Sequence, residues 1–269
     1  MLNGVDISHY QRGLDLASLK HDFAIMKATE GTSMVDECCD KWVQTECRNG
    51  KLWGFYHVLT TATGIAQGEF MLDMCENYFG EGIPIIDVEG TGSYYPNDPG
   101  RVYDMANYLI GKTGVKPIIY MNRNCMLTAD WSRVVGLGCD LWIARYPYSK
   151  VNGYTFDTDN LGDVKHWPYY AMWQYTSNGW LASNNLNVGI DLDVFFGTED
   201  AWRAYAAGSS IPETDTSEML SVVNSALESL SDATEKVQQI KDAIDQRGGT
   251  RHGENQAQNH LHHCELCVP

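Results

Sequence analysis

The chain has 269 residues, 43% of them hydrophobic and 20% charged, which places it among ordinary globular proteins and excludes wholesale disorder. Asp and Glu number 35 against 19 Lys and Arg, a net charge of −16; nucleic acid is excluded as a partner, because its binding rests on cationic side chains displacing counterions. No apolar run approaches the roughly 18 to 20 residues of a membrane-spanning helix, so no membrane insertion is expected, and the start Met1–Asp6 lacks the basic and apolar segments of a secretory signal.

In chain order, runs rich in β-branched and aromatic residues fall at Leu2–Ser8, Phe23–Glu30, Leu52–Leu59, Ile83–Glu89, Pro117–Met121, Leu141–Tyr146, Tyr170–Tyr175 and Ile190–Phe196. Stretches of helical character lie between several of them, among them Asp36–Arg48, Ile65–Phe79 and Arg101–Lys112. This alternation predicts an α/β fold of parallel strands joined by crossover helices, a compact (β/α)8-type barrel, with an open doubly wound sheet as the competing architecture.

All 8 Trp and all 15 Tyr precede residue 207, so residues 1–207 read as the packed domain and 208–216, with Gly, Ser and Pro, as a linker. Met219, Val223, Ala226, Leu230, Ala233, Val237, Ile240 and Ile244 then follow a heptad spacing, which predicts an amphipathic helix over 217–247 ended by Arg247-Gly248-Gly249. Such a helix either lies against the main domain or joins several chains into a homo-oligomer through residues 217–246. Residues 248–269 read as a flexible tail. Its Cys264 and Cys267, with His262 and His263, are ligand types suited to Zn2+, yet all lie within one short terminal run, whereas structural zinc sites close a loop between separated pairs. No metal, cofactor or disulfide framework is expected; the 8 cysteines are irregularly spaced and read as buried or free thiols.

In a parallel barrel the chemistry gathers at the carboxyl ends of the strands. Asp6 lies near the end of the first run, Glu30 ends the second, and Asp87 and Glu89 end the fourth. At i and i+2 on one strand, Asp87 and Glu89 point the same way after the apolar Pro84-Ile85-Ile86. Carboxyls crowded in this way raise one another's proton affinity, as a general acid at neutral pH requires; the competing reading is a helix cap or an ion pair. Asp191 and Asp193 are a second pair in phase, on a strand that closure of the barrel would bring beside Asp6. An acid rim could instead hold Mg2+ or Ca2+, but the first strand carries only His9 and no His-x-His zinc pattern, so metal-independent acid catalysis ranks higher. Tyr56, Tyr94, Tyr120, Tyr146 and Trp173 fall at strand ends or in the following loops, where sugar rings could stack on them; part of this set belongs to the core.

Gly4-Val5-Asp6-Ile7-Ser8-His9-Tyr10-Gln11, Lys27-Ala28-Thr29-Glu30-Gly31, Gly54-Phe55-Tyr56-His57, Pro84-Ile85-Ile86-Asp87-Val88-Glu89, Leu141-Trp142-Ile143-Ala144-Arg145-Tyr146, Trp173-Gln174-Tyr175 and Ile190-Asp191-Leu192-Asp193-Val194-Phe195 resemble, in order, glycoside hydrolase family 25, the lysozymes or N-acetylmuramidases of bacteria, fungi and phages. The resemblance runs through residues 1–207. It implies a modified, flattened barrel that hydrolyses the β-1,4 bond between N-acetylmuramic acid and N-acetylglucosamine in peptidoglycan. It also implies Glu89 as proton donor, Asp6, Asp87 and Asp191 as acids of the groove, and Tyr56, Tyr120, Tyr146 and Trp173 as sugar contacts, with Tyr94, Glu30 and Asp193 beside them. Asp87 is expected to stabilise oxocarbenium-like charge or to orient the N-acetyl group; an inverting route through Asp6 or Asp191 stays open.

A phage endolysin, made in the bacterial cytoplasm and reaching the wall by holin-dependent release, is the expected setting, with a virion-associated lysin or an exported bacterial toxin-like enzyme as the alternatives. Two further function classes stand beside the enzyme. One is a barrel that binds peptidoglycan without cleaving it; the other is a structural oligomer organised by the tail.

Overall fold

The computed structural model describes residues 1–89, 98–209 and 213–259. Its strands are β1 (Leu2–Ile7), β2 (Phe23–Glu30), β3 (Met34–Val35), β4 (Leu52–Val58), β5 (Ile83–Asp87), β6 (Ile118–Asn122), β7 (Leu141–Ala144), β8 (Val151–Asn152), β9 (Met172–Trp180) and β10 (Ile190–Phe195). The helices are α1 (Cys39–Asn49), α2 (Gly64–Cys75), α3 (Pro99–Thr113), α4 (Arg123–Thr128), α5 (Ser132–Gly136), α6 (Glu199–Ala207) and α7 (Glu213–Asn259). Helix starts follow local chemistry: the Thr63 side chain accepts the Ala66 N–H, Asn122 that of Cys125, and Asp98, just before Pro99, that of Arg101.

Pairing runs β1-β2-β4-β5-β6-β7-β9-β10 and returns to β1, so eight strands close a barrel, with β3 and β8 as short additions. From β1 round to β9 every pair of neighbours in that ring is parallel, as expected from the crossover helices. The departure is β10, antiparallel to both β9 and β1. Residues 181–189 link β9 to β10, and a run that short closes a hairpin, whereas a parallel return takes a dozen residues or more. The last strand therefore enters the barrel from the rim, and its first residues, not its last, sit at the functional end.

Paired positions on neighbouring strands face the same way, so the register traces the inward face. Asp6 pairs with Ile25, Lys27 with Tyr56, Tyr56 with Ile85, Asp87 with Tyr120, Tyr120 with Trp142, Ala144 with Gln174, Gln174 with Asp193, and Asp191 with Asp6. The lower levels of that interior are apolar: Ile25, Ile85 and Ile118 are fully buried. At the floor, the Trp202 ring of α6 lies 4.4 Å from Phe23 and 5.2 Å from Phe195, plugging the amino end. Gly4 is required there, because a Cβ would stand 2.2 Å from the Phe23 ring.

α6 ends at Ala207 with Gly208 in the left-handed region (φ +67°), and α7 follows from Glu213 as one 47-residue helix, about 70 Å long at 1.5 Å per residue. It starts within the segment read as a linker and passes through Gly248-Gly249, where the sequence predicted a stop. Glycine weakens a helix interior by about 1 kcal/mol but keeps its N–H in the ladder, and no proline interrupts α7. Near its start α7 packs on the turn Thr158–Asn160 and buries Val223. Farther along, Leu230, Val237, Ile240 and Ile244 of the heptad stripe are 42 to 62% exposed. Cys264, Cys267, His262 and His263 lie outside the described residues. Among the described residues Cys38, Cys39, Cys47, Cys75, Cys125 and Cys139 form no disulfide with one another.

Candidate active site

The open end of the barrel holds a groove of about 620 Å3 lined by Asp6, Tyr10, Lys27, Glu30, Tyr56, Glu89, Tyr120, Tyr146, Gln174, Ser177 and Asp191, together with Ile7, Ser8, Gln11 and Val58. Its walls are built strand by strand. β1 delivers Asp6 and then turns through His9–Gln11, where the Ser8 N–H donates to Gln11 Oε1 (3.0 Å) and the Ser8 hydroxyl accepts the Tyr10 N–H. This capped turn carries Tyr10, 82% exposed, at the mouth of the groove. β2 contributes Lys27, whose ammonium donates to Glu30 Oε2 at 2.6 Å. Behind this wall, outside the barrel, the buried His57 meets Thr29 Oγ1 (2.8 Å) and Gln67 Oε1 (3.3 Å), and burial pushes its imidazole down to about 4, leaving it neutral.

β5 supplies the central acids. Asp87 is buried at the strand's last position, and its Oδ1 meets no donor among the described residues; Glu89, beyond the strand, opens onto the groove. Burial, and then the charges of Glu89 and Asp6, hold the Asp87 carboxyl well above its ordinary range. Glu89 is also raised by loss of water, with the Lys27 ammonium pulling against it. Across the groove, Asp6 and Asp191 stand on paired positions; burial raises both, with the charge of Asp193 adding for Asp6 and the charge of Asp6 adding for Asp191. The rim thus gathers carboxyls whose proton affinity is raised by burial and by one another's charge, the direction of shift a proton donor needs.

A hydrogen-bond chain runs beneath the groove surface. Tyr120 Oη donates to Gln174 Oε1 at 2.8 Å, Tyr146 Oη donates to the same oxygen, and Gln174 Nε2 donates to Asp6 Oδ2. Asp6 in turn touches Asp193, which accepts the Trp142 indole N–H at 3.0 Å on Oδ1 while its Oδ2 has no donor. Two touching carboxyls have only acceptor atoms unless one is protonated, so this pair retains a proton.

The structure brings Asp6, Glu30, Tyr56, Glu89, Tyr120, Tyr146 and Asp191 together on one groove, with Asp87 buried at the strand end beside Glu89. Trp173 and Asp193, expected to touch sugar, stand elsewhere. Asp193 is fully buried below Asp6. Trp173 is fully buried on the opposite face of β9, where its ring lies 6.0 Å from Phe156 and its N–H bonds Arg145 O; side chains alternate along a strand, so Trp173 and Gln174 cannot both face inward. A bulge at Tyr175, where Leu192 pairs with Thr176 but Asp193 with Gln174, then rephases β9 and turns Ser177 into the groove. Tyr94 lies outside the described residues. Gln174, Lys27 and Ser177 are neither acids nor aromatics and escape a search for either, and Tyr10 is an aromatic just beyond β1 that such a search can reach; the pairing of Gln174 with Asp193 comes from the barrel itself.

The family model described as Glycosyl hydrolases family 25 matches residues 5–183. Among curated proteins, the Uncharacterized protein YegX of Escherichia coli O157:H7 is 27% identical over 217 residues, covering 77% of this chain and 74% of that one. Among solved structures, the bacterial lysozyme from Streptomyces coelicolor superposes with a TM-score of 0.64 at 20% identity, over 78% of this chain and 98% of its own. The muramidase from Trichobolus zukalii superposes with a TM-score of 0.58 at 25% identity, over 78% of this chain and all of its own. With the family model spanning most of the barrel, and an acid rim of glycosidase type where the fold places chemistry, the chain belongs to glycosyl hydrolases family 25 and is a glycosidase of lysozyme type.

Proposed function

We propose that the protein cleaves the β-1,4 bond between N-acetylmuramic acid and N-acetylglucosamine in bacterial peptidoglycan, with Glu89 as the proton donor. The observation that carries this reading is the placement of Glu89, alone of the β5 acids, in the open groove, with Asp87 buried next to it and Asp6 and Asp191 opposite. Glu89 protonates the leaving glycosidic oxygen as the carbon–oxygen bond breaks, the Asp87 carboxyl, when ionised, steadies the positive charge that develops on the sugar, and a water then adds to the anomeric carbon, its released proton restoring the acid form of Glu89. The unpartnered Asp87 Oδ1 suits an acetamido N–H of the substrate. The muramidase likeness at 25% identity supports the substrate class.

The decisive experiment is mass spectrometry of fragments released from purified peptidoglycan by the native chain and by Glu89→Gln. Fragments with new reducing N-acetylmuramic acid ends are expected from the native chain only. If both proteins co-sediment with the wall and neither releases fragments, the barrel is a binding module and the assignment fails.

Two finer readings accompany this one. The setting is lysis of a bacterial host by a phage, a reading that rests on the motif resemblance; it requires that expression of the chain lyse cells only when the inner membrane is permeabilised. The exposed heptad stripe of α7 joins chains into a homo-oligomer, which would present several grooves to one polymer and raise avidity for it.

A further inference from the structure

We propose that Gln174 is a positioning residue for the hydrolysis: it fixes the Asp6 carboxyl and ties it to the groove wall formed by Tyr120 and Tyr146. The inference rests on the muramidase reading above and assigns a part to a residue that touches the acids rather than the bond being cleaved.

Gln174 is 2% exposed and sits in mid-strand on β9, paired in register with Ala144 and Asp193. An amide has one acceptor end and one donor end. Here the acceptor end meets two phenol hydroxyls and the donor end meets the Asp6 carboxyl, a set of partners that holds the amide in one orientation. Tyr120 and Tyr146 also bond each other, so the two phenols, the amide and Asp6 form one connected network along this wall of the groove. The same amide holds Asp6 at a fixed angle to the groove, so a change at either tyrosine is felt at Asp6 through one rigid planar group.

The titratable groups that face Gln174 are Tyr120, Tyr146, Asp6 and Asp193. Gln174→Glu is the informative change. It is nearly isosteric and still accepts from both tyrosines, but as an anion it removes the N–H that Asp6 accepts and adds a further acidic group beside the Asp6–Asp193 pair. Once protonated, the introduced carboxyl presents an O–H where the amide presented an N–H.

The test measures kcat, KM and the pH profile of Gln174→Glu on soluble glycan-strand fragments, with melting and circular dichroism to establish folding. A fall in kcat of roughly ten- to a hundredfold near neutral pH is expected, the loss of one hydrogen bond to a charged group, with KM little changed and activity recovering relative to the native chain as pH is lowered. A folded variant with native kcat and native pH profile would overturn the proposal. If the native chain itself releases no fragments, the muramidase reading fails, and this inference with it, by a separate result. Should Gln174→Glu not fold, Tyr146→Phe, at a 47% exposed ring, removes one of the two donors that pin the amide; a displaced pH profile is expected, and a native one overturns the assignment.

Discussion

Asp193 illustrates how one buried group can weaken a fold while serving its site. Fully buried, hydrogen-bonded to Asp6 and to the Trp142 indole N–H, its carboxyl is held well above the ordinary aspartate range, chiefly because burial disfavours the anion and then because of the charge on Asp191. Asp6, Asp87 and Asp191 are shifted the same way for the same first reason. The folded chain therefore binds more protons than the unfolded chain from about pH 4 upward, and linkage makes stability fall as pH rises through the folded-state values. The contribution is fully present below about pH 4, the unfolded aspartate value, and is lost as pH rises through the raised folded-state values. Thermal melts between about pH 4.5 and 8 are expected to show a higher Tm on the acid side. Asp193→Asn keeps the acceptor for Trp142 and offers Asp6 an N–H, so it is expected to raise Tm at neutral pH by a few degrees, with about 2–4 °C for each kcal/mol in a chain of this size, and to flatten the slope. An unchanged slope would mean that Asp193 is not the group holding the proton. Glu89 behaves differently because it faces the groove: Glu89→Gln is expected to leave Tm nearly unaltered and to lower kcat by about 10² to 10⁴, the usual worth of a general acid, as read from the rate of fragment release.

At the scale of elements, α7 combines a short docked start with a long exposed seam. Leu230, Val237, Ile240 and Ile244 recur at seven- and three-to-four-residue spacing, and a seam of that period matches another helix of the same period better than a flat surface. Gel filtration with light scattering is expected to give a multiple of the chain mass for the full protein and a single chain mass for residues 1–208; equal single-chain masses would remove the oligomer proposal. Ile240→Glu, at 60% exposure, is expected to shift the full protein toward the single chain without altering the barrel's melting. Much of this element scale is readable from sequence because apolar runs alternate with amphipathic ones: the expected Phe23–Glu30 strand is the observed β2, and the others differ mainly at their ends. What sequence patterning does not reveal is direction and phase. Nothing in Ile190–Phe195 announces that the strand runs backward until the short 181–189 connection is weighed, and the bulge at Tyr175 that turns Ser177 inward has no local signature. The acids of the rim are legible because two carboxyls in an apolar strand are conspicuous. Gln174 is not, because its partners Tyr146, Tyr120 and Asp6 lie 28, 54 and 168 residues away and only barrel closure assembles them.

For the whole molecule, a net charge of −16 sets the terms of encounter with a polymeric substrate that itself often carries anionic groups. Long-range attraction cannot bring the enzyme to such a wall, and the groove adds no cationic lure, since its one lysine, Lys27, is paired with Glu30 at 2.6 Å. Recognition must come from short-range hydrogen bonds and ring contacts within the groove, from exposed Tyr10 and Tyr146 at its mouth, and from multiplicity if α7 joins several chains. Added salt screens repulsion over a distance of about 10 Å at 0.1 M and leaves the contacts inside the groove almost untouched. Turnover of whole cell walls is therefore expected to stay level or rise as salt increases from about 0.02 to 0.3 M, while turnover of short neutral glycan fragments stays level across the same range. The two substrates separate encounter from chemistry. A steep loss of activity with salt on walls alone would show that some cationic surface outside the groove captures the polymer, and that bulk charge is a poor guide to how this glycosidase finds its substrate.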